Sequence, residues 1–465
     1  MKRPLFSRSR LVKSPRDGER GITMALVAIC MVAILAMAVL SIDTVTLYLA
    51  REEAQRSADA AALAGARILS LSGMTGDPTD ATNSWTPACN AATAVATAVA
   101  QQNQIAGQSL PTAQITVIFP NNTGCGTTPV FGINPEITVK VQRQNLPSFF
   151  ARIWGRTSNE VGASATAEAF NPSNSGSVNS GPSGGIIPVQ PRCVKPWIVP
   201  NKDPSPAGGT FVSTGTGSIS NPGVLQLGGG VIGETFNIQS ACNPGLTDCD
   251  LTPTKHLNNP LTSSGSTLQY VPAAIATSPY TAVESCPAGT GSDFQMAIDG
   301  CDQKTQYSCG TLLGANINLD IPPVYPTAVA GDTSTAVQCL INQSSGGQDT
   351  LHGTSLTTPA FPFQIWAGSG SPLAKSGIVN DSDPITSSNS IVSLPIYDSG
   401  SPIAPLLSNH QAVTIVGFLQ VFINNVDGAG NLNVTVLNVS GCSVSAPNAP
   451  VTGTSPVPIR LITPP

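Results

Sequence analysis

Charge is scarce in this 465-residue chain: Asp, Glu, Lys and Arg make up 10% of it, against about 25% in ordinary soluble domains. A chain so poor in charge is not built like a cytosolic enzyme or a solvated helical bundle. Aromatic residues are 5%, and the 4 Trp are too few for a carbohydrate-stacking platform. The 3 His stand apart at His256, His352 and His410, and no Cys-x-x-Cys pair occurs. A zinc site therefore lacks its ligand pattern, and a Ser-His-Asp or metal-dependent hydrolase lacks its basic or chelating groups. The sequence leads us to expect no enzymatic activity, no cofactor and no metal site. Gly (44) and Pro (40) are above average yet below the level of a low-complexity chain, so most of the chain should fold.

Charge is also unevenly placed. Residues 1–20 hold Lys2, Arg3, Arg8, Arg10, Lys13, Arg16 and Arg20 against Asp17 and Glu19, which leaves the rest of the chain acidic. No basic stripe remains on the body to neutralise phosphates, which excludes a nucleic-acid partner. The basic head has another purpose. It precedes an uncharged run from Ile22 to Ile42, ITMALVAICMVAILAMAVLSI, which as a helix spans about 30 Å, the thickness of a bilayer core. Residues 21–42 are read as a single transmembrane helix in contact with membrane lipid. By the positive-inside rule residues 1–20 are cytoplasmic and the bulk of the chain lies outside. The run is too long for a signal-peptide core ending at Ala36-Met37-Ala38. Ile29 before Cys30 does not fit a lipoprotein site, and Thr23 or Leu26 stands where a prepilin-type site after Gly18 or Gly21 would carry Glu.

Cys30 lies in that span, and the other cysteines (Cys89, Cys125, Cys193, Cys242, Cys249, Cys286, Cys301, Cys309, Cys339 and Cys442) lie beyond it. An even number in an exported region reads as disulfides. Proximity alone pairs Cys89 with Cys125 and Cys242 with Cys249.

The helix should continue past the membrane. Asp43–Leu71 has no Pro and no Gly before Gly65, and is rich in Ala, the best helix former. Ala50, Ala54, Ala58, Ala62 and Ala66 recur at every fourth position and form a ridge that another backbone can approach closely. A heptad seam runs through Leu47, Ala50, Ala54, Ser57, Ala61, Ala64 and Ile68. Two surfaces fit the ridge: the chain's own next domain, or a partner helix in an assembly. A second Ala-rich helix is expected over Asn90–Ile105, strands over Ala113–Phe119, Glu136–Gln142 and Val161–Ala167, and a short helix over Leu146–Gly155.

The order Glu19-Arg20-Gly21, apolar span, Asp43, Tyr48-Leu49-Ala50-Arg51 and Gln55-Arg56-Ser57-Ala58-Asp59-Ala60-Ala61-Ala62-Leu63-Ala64-Gly65-Ala66 resembles the N-terminal region of the Flp (Tad) pilus-assembly TadE/G-like family. LPSFFARIWG followed by a small-residue strand is also similar, and the resemblance covers about residues 18–170. It implies a single-pass inner-membrane protein facing the periplasm, with protein partners in the tight-adherence pilus machinery and no catalysis. The Asp-x-Ser-x-Ser metal loop of the von Willebrand factor A domains found in many TadG-like proteins is missing; Asp332-Thr333-Ser334-Thr335-Ala336 ends in Ala.

The overall expectation is α+β. A basic segment (1–20) and the transmembrane helix (21–42) extend into a small pilin-like α/β unit (43–170). A Gly- and Ser-rich linker (171–185) then leads to a β-rich, disulfide-containing outer domain (186–465), an irregular sandwich or barrel. Within it, strands are expected at Ile391–Tyr397, Ala412–Asn424 and Leu432–Val439, the last two joined by a hairpin at Asp427-Gly428. That turn has too few carboxylates for a calcium loop, Asp381-Ser382-Asp383 reads as a surface turn, and Gly181-Pro182-Ser183-Gly184-Gly185 reads as linker rather than a nucleophile elbow. Cys193–Pro200 is read as a Trp plug over a disulfide, with an exposed aromatic recognition surface as the other reading. An assembly component, an envelope-anchored adhesin and a membrane-anchored hydrolase are the competing functions, in that order.

Overall fold

The computed structural model describes residues 19–72, 75, 81–120, 124–126, 134–147, 155, 158–172, 189–205, 208–227, 229–240, 267–275, 281–282, 292–302, 304–310, 312–315, 332–352, 363–400, 404–405, 411–442 and 451–462. It is a mixed α and β protein in which a long apolar helix leads into a β-rich region with disulfides.

Helix α1, Glu19–Leu71, is continuous over 53 residues and so about 80 Å long. Its composition changes halfway. From Ile22 to Leu49 most large apolar side chains are exposed, Val39 and Leu47 being half-buried; from Ala50 onward buried positions recur at helical spacing. One helix thus has a lipid-matched half and a protein-matched half.

Helix α2, Ala81–Gln102, begins earlier than the expected Asn90 and holds Pro87 inside it. Proline in a helix interior removes a hydrogen bond, so the turns around it need support from outside the helix. Tertiary contacts hold those first turns: Trp85 is buried edge-on against Phe119, with ring centroids 4.9 Å apart, and Cys89 is bonded to Cys125.

Three antiparallel strands follow, β1 (Ile115–Ile118), β2 (Glu136–Pro147) and β3 (Ser158–Ala169). The residues before Ile115, expected as strand, form a short 3-10 turn, Thr112–Gln114. In β2, Ile137, Val139 and Val141 are buried against the helices, while Lys140 and Gln142 are exposed, as alternation requires. The expected helix from Leu146 is corrected at its start: Leu146 and Pro147 pair with Asn159 and Ser158 as the end of β2. Cross-strand bonding there outweighs the helix-start signal of Pro147. Residues 148–154 of that helix lie outside the described residues.

The outer region is built around β4 (Trp197–Pro200), β5 (Thr235–Ser240), β6 (Thr267–Pro272), β7 (Ile391–Tyr397), β8 (Gln411–Val426) and β9 (Leu432–Gly441). Pairing runs β8-β7-β4-β6-β5-β9 and returns from β9 to β8. The hydrogen-bonding circuit closes into a six-stranded barrel of mixed direction, and residues 312–315 and 404–405 pair with the start of β8 outside that circuit. Side chains alternate between two apolar clusters: Trp197, Val199, Leu268 and Tyr270 point to one, Ile198 and Val271 to the other. Both faces of β4 are therefore buried, which explains its unbroken apolar run. Two short helices, α3 (Asp293–Asp299) and α4 (Asp332–Leu340), pack on each other beside the barrel. Val426 pairs with Leu432 at the hairpin, and the Asp427 carboxylate accepts from Ala429 N, Asn431 N and Asn431 Nδ2.

The last described strand, β10 (Ile459–Ile462), leaves the barrel and pairs antiparallel with β3. Residues assigned by sequence to the outer domain thus complete the N-terminal sheet, in the order β1-β2-β3-β10. Arg460 forms an ion pair with Glu168 and lies 4.6 Å above the Phe170 ring.

Candidate functional site

The features with functional bearing lie along α1. Its membrane half presents Ile22, Met24, Leu26, Ile29, Val32 and Leu35 without protein cover. Tyr48 and Leu49 continue the exposed apolar surface just past the 21–42 span, where an amphipathic ring suits the membrane–water boundary.

Beyond that boundary the ridge residues Ala50, Ala54, Ala58, Ala62 and Ala66 are all buried, in one cluster with Ala88, Ala92, Ala96 and Ala100 of α2 and the inner faces of β2 and β3. Alpha-helix α2 carries its own four-residue ridge. Ser57 Oγ donates to Ala100 O at 3.4 Å. Farther along α1, a Cβ on Gly65 would lie 3.4 Å from Ala96 Cβ, 3.5 Å from Ala92 O and 2.4 Å from Ile137 Cδ1. Contacts that ascend α1 while descending α2 make the pair antiparallel, and the missing side chain lets backbones approach where helices meet sheet.

The far end of α1 is fixed to the barrel by two asparagines. Asn438 of β9 donates from Nδ2 to Ser70 O at 2.7 Å, satisfying one of the carbonyls left open at a helix end. Asn171 donates to Thr75 O at 2.9 Å and to Val439 O at 3.2 Å. Leu71, the last residue of α1, belongs to the barrel's apolar cluster. Sequence reasoning missed Asn171 and Asn438, because nothing local marks a polar residue that caps an element far away in the chain.

Of the predicted cysteines, Cys89 pairs with Cys125, Cys193 with Cys301 and Cys309 with Cys442; Cys339 is disulfide-bonded as well. Cys242, Cys249 and Cys286 lie outside the described residues, as does the Gly181–Gly185 segment. Cys30 is a free, exposed thiol on the membrane half. Trp197 is no exposed recognition aromatic: it is a buried barrel residue whose Nε1 donates to Thr333 Oγ1 at 3.2 Å. Nearby, Lys195 Nζ donates to Ile298 O and Gly300 O. Burial pulls its ammonium down to about 8, opposed by the charge of Asp299.

Among the described residues no group of three or more His, Cys, Asp or Glu converges as a metal site. What the site offers is an exposed apolar helix that continues without a break into a packed body.

Residues 21–67 match the family model Tad, putative Flp pilus-assembly TadE/G-like. The matched Tad segment is α1 itself, from the first apolar turn through the alanine ridge. No curated protein and no solved structure matches the chain.

Proposed function

We propose that this chain is a single-pass inner-membrane component of Flp (Tad) pilus assembly, with residues 1–20 in the cytoplasm and the barrel in the periplasm. It acts as a structural part that binds other assembly proteins and catalyses no reaction. The observation that carries this reading is the coincidence of the Tad match with α1, whose apolar half is exposed and whose other half is packed into the outer body. The orientation rests on the basic residues before the span and the disulfides beyond it.

Affinity purification of the full chain from membranes tests the reading. Co-purification of pilus-secretion components from detergent extracts is the expected result. Recovery of the chain without any of them, under conditions where the pilus is made, would refute it. A reporter inserted after Phe170 should be active only if it functions in the periplasm.

A further inference from the structure

Where α1 meets the barrel, two neighbouring cavities of about 310 and 480 Å³ share Arg67, Ser387, Thr454 and Ser455 in their walls. Among the described residues, neither is lined by any Asp or Glu. Arg67 is half-buried there, and burial lowers its pKa. No carboxylate among the described residues pairs with the Arg67 guanidinium, and its flat fork of donors matches a carboxylate.

A second, independent feature faces the smaller cavity. Gln420 is 2% exposed. Its Nε2 donates to Ser455 Oγ at 2.8 Å, and Ser455 Oγ in turn donates to Val457 O at 2.9 Å. That chain fixes which end of the amide points at Ser455, so the other end is the oxygen, and Gln420 Oε1 is buried with no partner. Buried acceptors are rarely left so. Lys195 adds positive potential to the same wall, with two of its donors already on carbonyls.

We propose that this cleft is a binding site for a carboxylate-bearing peptide segment, in which Arg67 takes the carboxylate and Gln420 Oε1 accepts an N–H of the same segment. The ligand must offer an anion and an amide donor together, and must lie along apolar wall from Leu63, Ile391 and Pro458. A peptide has all three. Among the described residues no aromatic side chain lines either cavity, which gives an acidic sugar no ring to stack on there.

The test uses the full chain in detergent and four probes: acetyl-trialanine with a free C-terminus, the same peptide amidated, acetyl-Ala-Asp-Ala-amide, and inorganic phosphate. Binding is read by calorimetric titration. We expect at least one carboxylate peptide to bind about tenfold or more tightly than the neutral amide, and the pair of carboxylate probes to tell a chain end from an acidic side chain. Arg67→Gln should abolish that binding without lowering the melting temperature, Arg67→Lys should weaken it, and Ala64→Phe, one turn before Arg67 on the same helix face, should block it by filling the cleft. Equal binding of the amidated peptide, undiminished binding in these variants, phosphate binding as tightly as the peptides, or no peptide binding at millimolar concentration would each overturn the proposal.

Discussion

Replacing Ala58 by Leu probes the packing of the anchor helix most directly. Ala58 is fully buried in the cluster that joins α1, α2 and the N-terminal sheet. Leucine adds roughly three carbon atoms to a position with no free volume, and overpacking of this kind costs about 1–3 kcal/mol. Helix propensity changes by only about 0.2 kcal/mol, so the loss reports packing rather than helix formation. For a unit of this size the melting temperature should fall by roughly 2–10 °C. The control is Glu52→Leu, which places the same side chain on the exposed face and should stay within about 0.5 kcal/mol of the wild type. The assay is thermal denaturation of the full chain in detergent, followed by far-ultraviolet circular dichroism. Equal stability of Ala58→Leu and wild type would refute the packing argument. If complex formation were lost at the same time, the ridge would have to belong to a partner's surface.

Three further outcomes follow from particular contacts. Burial first, then the charge of Asp203, push Glu234 from 4.5 up to about 8; the unfolded chain ionises near 4.5, so stability from this group is full below that pH and is lost as pH rises towards 8. Glu234→Gln should flatten that decline and raise the melting temperature at pH 8, and an unchanged pH profile would contradict it. Asn438→Ala leaves Ser70 O without its barrel donor and should cost about 1–3 kcal/mol, with proteolysis near residue 72 accelerated; unchanged proteolysis would show that the asparagine does not hold the helix end. Thiol titration of the unfolded, unreduced protein should find Cys30 free and the outer cysteines oxidised, and Cys193→Ser with Cys301→Ser, which opens a separation of 108 residues, should cost a few kcal/mol. Five or more free thiols would count against an oxidising compartment.

The sequence by itself determined the elements whose cause is local. An uncharged run of bilayer length, an Ala-rich continuation without proline, period-two alternation in Ile137–Val141 and the Asp427-Gly428 turn each state their structure through neighbours a few residues away. The same local rules placed the start of α2 at Asn90, past the first turns with Pro87 that Trp85 on Phe119 and the Cys89–Cys125 bridge hold helical. They also put a helix at Leu146, where strand pairing prevails. The ridge could be read as a contact surface, yet its occupant was decided only when α2, with alanines at the same spacing, lay against it.

Long-range placement was beyond the sequence for a single physical reason: hydrogen bonds and burial between distant segments leave no periodic trace in either one. Barrel closure joins strands in the order β8-β7-β4-β6-β5-β9, which no neighbouring pattern encodes. Residues 459–462 return to β3 across a separation of 292 residues at the Arg460–Glu168 pair. Arg67 at the rim of its cleft and Gln420 within it are, in sequence, an ordinary helix cation and an ordinary strand amide; tertiary structure took the countercharge from one and the donor from the other by surrounding them with groups that supply neither.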